Sequence, residues 1–182
     1  GASIDHKNNI MYVTSNNIIF ESKIDLVSNA KNRAPVYKSS HKRLLENNLY
    51  PKNSPPWGTL NALNLNTGKL LWKVPLGNYD SFKTENKEFT GTENFGGTTV
   101  TRGGIAITSG TLDKKIHFHD SNNGNLLKSI LLPYIGSAPP STYSINGEQF
   151  IIVHATGGWS LKGGYGDLVQ TGDSIVGLKI KK

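Results

Sequence analysis

Apolar residues come in short runs cut by turn residues, and the sharpest run spans residues 62–72. Leu63 and Leu65 alternate with polar neighbours, then Asn66-Thr67-Gly68-Lys69 turns the chain, and Leu70, Leu71 and Trp72 resume the apolar run. Alternation on both sides of a turn whose glycine suits a positive φ predicts a hairpin over 59–65 and 69–74. A weaker copy follows at 118–128. Gly68 aligns with Gly124, Leu70-Leu71 with Leu126-Leu127, and Trp72 with Lys128, at a spacing of 56 residues. The spacing is slightly longer than a propeller-blade period.

The same pattern organises most of the chain. A turn at His6-Lys7-Asn8-Asn9 precedes a strand at 10–15, and Ile18-Ile19-Phe20 either continues as a strand or leaves the sheet. Strands at 98–101, 105–109, 116–119 and 126–132 are joined by tight turns and make one four-stranded blade by count and order. Asn146-Gly147 joins 141–145 to 149–154 as a hairpin. A closing strand is expected at 174–180, after a glycine-rich loop over 157–172. Residues 21–56 show no period and read as a long loop, with at most a helical turn or two at Leu44-Leu45; 77–94 read as a second polar loop. Asn53-Ser54-Pro55-Pro56 imposes an extended approach to Trp57. The expected fold is all-β: a partial β-propeller of about three blades of four antiparallel strands. It is a single segment over 1–182, with 1–20 part of one blade, 21–56 an insert, and 57–180 further blades and the closing strand. An apolar strand this close to the start, with no edge-protecting element, suggests a piece of something larger.

Composition agrees with short strands and many turns: 36% of the 182 residues are apolar and 20 are glycine. No run has the length of a membrane helix. The absence of cysteine removes disulfides, thiolate metal sites and a cysteine nucleophile. The net charge of +7 raises nucleic-acid binding, but the basic residues are scattered apart from His41-Lys42-Arg43 and the last four residues. Aromatic residues are not interleaved with them, so a solvated basic surface is the reading and no nucleic-acid partner is expected.

Candidate chemistry is sparse. His117 and His119 face one side of a strand, yet no further ligands accompany them and Asp120 belongs to a turn. His154 ends a strand at the glycine-rich loop and is the histidine that merits a pocket reading. Asp167 and Asp173 flank turns that explain them. Gly163-Gly164-Tyr165-Gly166 lacks the Lys-Ser/Thr of a phosphate loop, and no nucleophile elbow occurs. Trp72 reads as packing and Trp57 divides between packing and a pocket.

The run Ala62-x-Asn64-x-x-Thr67-Gly68-Lys69-x-x-Trp72 resembles the tryptophan-docking repeat of quinoprotein dehydrogenases. So does an ordered set of other stretches: Pro55-Pro56-Trp57-Gly58-Thr59-Leu60, Gly91-Thr92-Glu93-Asn94-Phe95-Gly96-Gly97, the run from Pro139-Pro140 to Phe150, and Gly157-Gly158-Trp159. In this order they resemble the C-terminal part of a pyrroloquinoline-quinone (PQQ)-dependent dehydrogenase of the glucose and quinate type. The resemblance implies an eight-bladed propeller, PQQ with calcium or a similar divalent cation, oxidation of a sugar, polyol or cyclic alcohol hydroxyl, and a periplasmic setting. The implied partners are the remaining blades and a quinone or cytochrome c acceptor. It places the catalytic base and most cation ligands outside this segment, so no catalytic or metal residue is assigned here. Cofactor-contacting wall is expected at Asn16, Asn17, Trp57, Asn94, Phe95, Gly96 and Trp159. Lys128 departs from the docking tryptophan and is expected to loosen that contact between blades. The competing class is a non-enzymatic propeller scaffold or binding module, which would not need these stretches in this order.

Overall fold

The structure, a computed structural model, describes residues 1–28, 34–47, 50–79, 90–158, 165 and 169–179. Every strand pair among them is antiparallel. The chain divides into two compact units: residues 1–17 with 55–182, and the inserted residues 18–54.

Among the described residues, the first unit holds three sheets. The first comprises β1 (Ala2–Asp5), β2 (Ile10–Asn16), β7 (Gly58–Asn64) and β8 (Leu70–Pro75), hydrogen-bonded in that order. The hairpin around Gly68 therefore belongs to the same blade as residues 2–16, which the sequence reading had kept apart. The insert interrupts a blade between its second and third strands. Register closes the gap: Tyr12 pairs with Ala62 and Asn16 with Gly58. The second sheet is a meander of β9 (Thr98–Val100), β10 (Ile105–Thr108), β11 (Lys115–Asp120) and β12 (Leu126–Leu131). The third pairs β13 (Ser141–Ile145), β14 (Glu148–Gly157) and β15 (Thr171–Lys179). Asn146 and Gly147, with φ of 51° and 76°, make the tight primed turn that their sequence predicts. The result is an all-β partial propeller of three blades.

The core lies between blades. Tyr12, Leu60, Ala62 and Leu76 of the first blade enclose Ala106 of the second. Ile107, Ile116 and Leu132 of the second meet Ile151, Val153 and Ala155 of the third. Alternate residues of each strand supply these contacts, as the two-residue period requires. Fully burying an aliphatic side chain of this size is worth about 1.5–3 kcal/mol, so the seams hold the blades together. Trp72 bridges the first seam. Its Nε1 donates to the Ser121 carbonyl at 3.0 Å, and its ring lies so close to Gly124 that a Cβ there would stand 2.7 Å from it. The Tyr12 hydroxyl donates to the same carbonyl at 3.2 Å. The repeat is thus a blade-to-blade dock. Lys128, at the equivalent position of the second repeat, is exposed.

The second unit corrects the reading of 21–56 as loop. β3 (Phe20–Ser28) and β4 (Val36–Arg43) form a long two-stranded hairpin, followed by β5 (Leu45–Glu46) and β6 (Tyr50–Pro51). Leu44-Leu45 is not helical. Serine and lysine thin out the apolar row of β3, so the cue for a strand is weak until its cross-strand partners are known. Ile18-Ile19 leave the first sheet, and Phe20 opens this hairpin.

Candidate functional site

Six of the expected wall residues, Asn16, Asn17, Trp57, Asn94, Phe95 and Gly96, gather around the end of β2 and the start of β7. The Asn17 amide donates to the Trp57 carbonyl at 2.8 Å, and the Trp57 amide donates to the Thr90 carbonyl at 2.8 Å. Two close backbone approaches make the glycines necessary. A Cβ on Gly58 would lie 1.8 Å from the Thr92 carbonyl oxygen, and one on Gly96 would lie 1.9 Å from that of Ser109. Both opposing atoms are backbone, so no side-chain rotation relieves either clash.

Asn16 and Asn94 are locked together. Asn16 Nδ2 donates to the Asn94 carbonyl at 2.8 Å, and the Asn94 amide donates to Asn16 Oδ1 at 2.9 Å. The side chain of one residue thereby satisfies both backbone groups of the other, as a neighbouring strand would. Asn94 Nδ2 donates to the Ser109 carbonyl at 2.7 Å, which ties the turn to the second blade. Asn94 Oδ1 is buried and accepts no hydrogen bond. A buried carbonyl left without a donor costs about 1–3 kcal/mol. Phe95 follows, with its amide donating to the Gly110 carbonyl at 3.2 Å and its side chain 37% exposed.

Exposure divides the set. Asn16, Asn17 and Phe95 are exposed, whereas Trp57, Asn94 and Gly96 are buried behind them. Trp57 meets Tyr79 edge-on, with centroids 5.4 Å apart and planes at 83°. Glu93 and Tyr165 are buried as well. Burial above all, then the Tyr79 hydroxyl and the Glu93 carboxylate, push the Tyr165 hydroxyl far above the usual phenol range. Sequence reasoning missed Tyr79, Glu93 and Tyr165, because single charged or aromatic residues in glycine-rich loops carry no pattern. Trp159 and Asp167 lie outside the described residues. His154 and Asp173 are exposed.

A second polar group lines the outer part of the seam between the first two blades. Lys115, His117 and His119 alternate along β11 and border a cleft of about 780 Å³ opposite Val74 and Pro75. His117 Nε2 lies 3.3 Å from Asp113 Oδ1 and 3.2 Å from Thr111 Oγ1. Burial works to raise the Asp113 carboxyl, but the hydrogen bonds of His117 and Thr111 and the charges of His117 and Lys115 together outweigh it, and the group sits below the ordinary carboxylate value. His119 is 3% exposed and its Nδ1 has no partner. Burial first and His117 second lower it to about 4. Among the described residues no three His, Cys, Asp or Glu side chains converge as a metal site, and no helix is long and apolar enough to cross a membrane.

Residues 1–151 match the PQQ family described as glucose/ethanol/alcohol dehydrogenase, beta-propeller domain. The chain is 35% identical over 111 residues to the glycerol dehydrogenase large subunit of Gluconobacter oxydans (strain 621H), covering 58% of this chain and 15% of that protein. It is 32% identical over 124 residues to the quinoprotein glucose dehydrogenase of Escherichia coli (strain K12), covering 65% and 16%. It is 30% identical over 153 residues to the quinate/shikimate dehydrogenase (quinone) of Acinetobacter baylyi (strain ATCC 33305 / BD413 / ADP1), covering 80% and 18%. The chain therefore spans less than a fifth of each of these relatives. In fold it is similar to a europium-containing methanol dehydrogenase, with a TM-score of 0.58 and 20% identity over 84% of this chain and 23% of that one.

Proposed function

Because the chain belongs to the PQQ glucose/ethanol/alcohol dehydrogenase β-propeller family, we propose that it forms part of the cofactor wall of a quinoprotein dehydrogenase. The whole enzyme oxidises a sugar, polyol or cyclic alcohol hydroxyl in the periplasm and passes electrons to a quinone or a cytochrome c. The catalytic base and most ligands of the calcium or similar cation come from blades beyond this segment.

The observation that carries the reading is the Asn16–Asn94 lock at a turn fixed by backbone contact on both sides. Positioning to a fraction of an ångström is what a cofactor wall requires, and a turn pinned this way delivers it without relying on side-chain packing. The turn also fits a planar quinone chemically. Phe95 is 37% exposed at this turn and presents aromatic surface on which a planar group packs. Asn17 and Phe95 would touch the cofactor, Asn16 and Asn94 would set the turn, and Trp57 and Gly96 would support it; Trp159, outside the described residues, is assigned to the same wall by its motif alone. When bound, PQQ supplies the hydride acceptor and its cation the Lewis acid.

The test is a chimera in which residues 1–151 replace the matching segment of the Escherichia coli glucose dehydrogenase. PQQ uptake is followed by absorbance and glucose oxidation with a dye acceptor. The chimera is expected to take up PQQ, and Phe95→Ala to weaken uptake. A folded chimera that binds no PQQ overturns the proposal, and so does sugar oxidation by the 182-residue chain alone.

A further inference from the structure

We propose that Asn146 is a self-modification site: it deamidates spontaneously and rearranges to isoaspartate, which loosens the hairpin of the third blade. The chain contains two Asn-Gly dipeptides, Asn123-Gly124 and Asn146-Gly147. In both, glycine leaves the following amide nitrogen unshielded by a Cβ, so the sequence ranks them alike. The reaction needs only the chain and water. The Gly147 nitrogen attacks the Asn146 side-chain carbonyl carbon and forms a C–N bond. The bond to the side-chain nitrogen breaks, and that nitrogen leaves as ammonia with the proton lost from Gly147. Water then opens the cyclic imide at either carbonyl. One opening gives aspartate; the other routes the backbone through Cβ and gives isoaspartate.

The fold separates the two sites. At Asn123 the following Gly124 amide donates to the Asp120 carbonyl at 2.8 Å, and Asn123 Oδ1 accepts from the Asn125 amide at 2.8 Å. Gly124 is buried against the Trp72 ring. Attack there breaks both hydrogen bonds and turns a peptide plane against the indole. Asn146 and Gly147, by contrast, are both exposed. Among the described residues, neither the Gly147 amide nor the Asn146 side chain has a hydrogen-bond partner. A Cβ on Gly147 would meet nothing within 4 Å, so the Asn146 side chain can rotate onto the amide. A further blade set against the third would leave this turn in solvent. The corresponding turn of the second blade, between β9 and β10, is exposed at Arg102 and Gly103 although blades pack on both sides of it.

Isoaspartate is disruptive here because the loop is short. Ile145 pairs with Glu148, so Asn146 and Gly147, both at positive φ, close the hairpin by themselves. A loop of this kind fixes register through its backbone torsions. Routing the backbone through Cβ adds a methylene to it, and the primed turn no longer closes. The pairs of β13 and β14 nearest the tip loosen first, toward the stacked rings of Tyr143 and Phe150. Aspartate keeps the backbone intact and adds only charge.

The test is incubation of the folded 182-residue chain in mildly alkaline buffer, with the tryptic peptides 116–128 and 129–162 followed by mass spectrometry. Asn146 is expected to deamidate faster than Asn123 by roughly tenfold or more, because Asn123 has two hydrogen bonds to break. In urea the two rates should converge. The same preference is expected in the chimera carrying residues 1–151, where further blades are present. Asn146→Gln, whose longer side chain closes the ring far more slowly, should stay unmodified at that position. The isoaspartate form, separated by its added negative charge, should exchange the amides of β13 and β14 faster than the natural chain, while Asn146→Asp keeps their protection. Equal rates at the two sites in the folded chain or the chimera overturn the proposal, as does a preference that survives in urea. An isoaspartate form whose hairpin exchanges like the natural one overturns it as well.

Discussion

Acidification should weaken the seam between the first two blades through one residue, His119. Its ring is 3% exposed, its Nδ1 meets no partner, and its centroid is 6.1 Å from that of His117. Protonation would place a charge in that seam, so the folded chain holds His119 at about 4 against an ordinary 6.5. A depressed folded value means that the unfolded chain takes up the proton first. The stability linked to His119 is therefore complete above pH 6.5 and drains away as pH falls toward 4. Within that window the slope approaches about 1.4 kcal/mol per pH unit, and the loss at about pH 5 is about 2 kcal/mol. Against a net stability of roughly 5–15 kcal/mol this is a large share. The neighbouring carboxylate does not confuse the window. Asp113 sits below 3.8 when folded, so most of its own contribution disappears at lower pH. The assay is urea unfolding of the natural chain and of His119→Gln at a series of pH values. The natural chain should lose stability between pH 6.5 and 4 by about 2–3 kcal/mol more than the variant. Parallel curves for the two proteins would refute the reasoning, as would an NMR titration of His119 with a midpoint near 6.5.

Trp72→Ala removes the ring that covers Gly124 and the bond to the Ser121 carbonyl; a loss of about 3 kcal/mol is expected in chemical denaturation, with Tyr12 fluorescence reporting the opened seam. Gly96→Ala forces backbone apart from Ser109 and should destabilise by about 2–4 kcal/mol, seen as a lower thermal midpoint, because neither opposing atom can rotate away. Asn16→Ala strips both bonds from the Asn94 backbone and should cost about 1–3 kcal/mol, with faster hydrogen exchange at the Asn94 amide as the local signature.

Much of the architecture was legible in the sequence because it rests on local patterns. Alternation with a period of two, Asn-Gly and Gly-Lys turns, and the repeat ending in Trp72 determined the strands, the hairpins and the propeller class. Each of those signals is carried within about ten residues, where side-chain direction and turn geometry follow from neighbours in the chain. The glycine positions were legible too, though not their reason. Gly58 and Gly96 are required by carbonyls of Thr92 and Ser109, which approach them only in the fold.

Tertiary structure alone decided what long-range pairing controls. Residues 2–16 join the hairpin around Gly68 across a 40-residue gap, since strand pairing depends on register between distant segments. The inserted hairpin was hidden because its partner strands support each other without a strong apolar row. The residues proposed for the wall were picked out by motif, but the division into exposed Asn16, Asn17 and Phe95 and buried Trp57, Asn94 and Gly96 was not legible. Burial depends on what the rest of the chain places over each side chain. The same holds for His119: its histidine identity was plain in the sequence, and its resistance to protonation was created by the seam that closes over it.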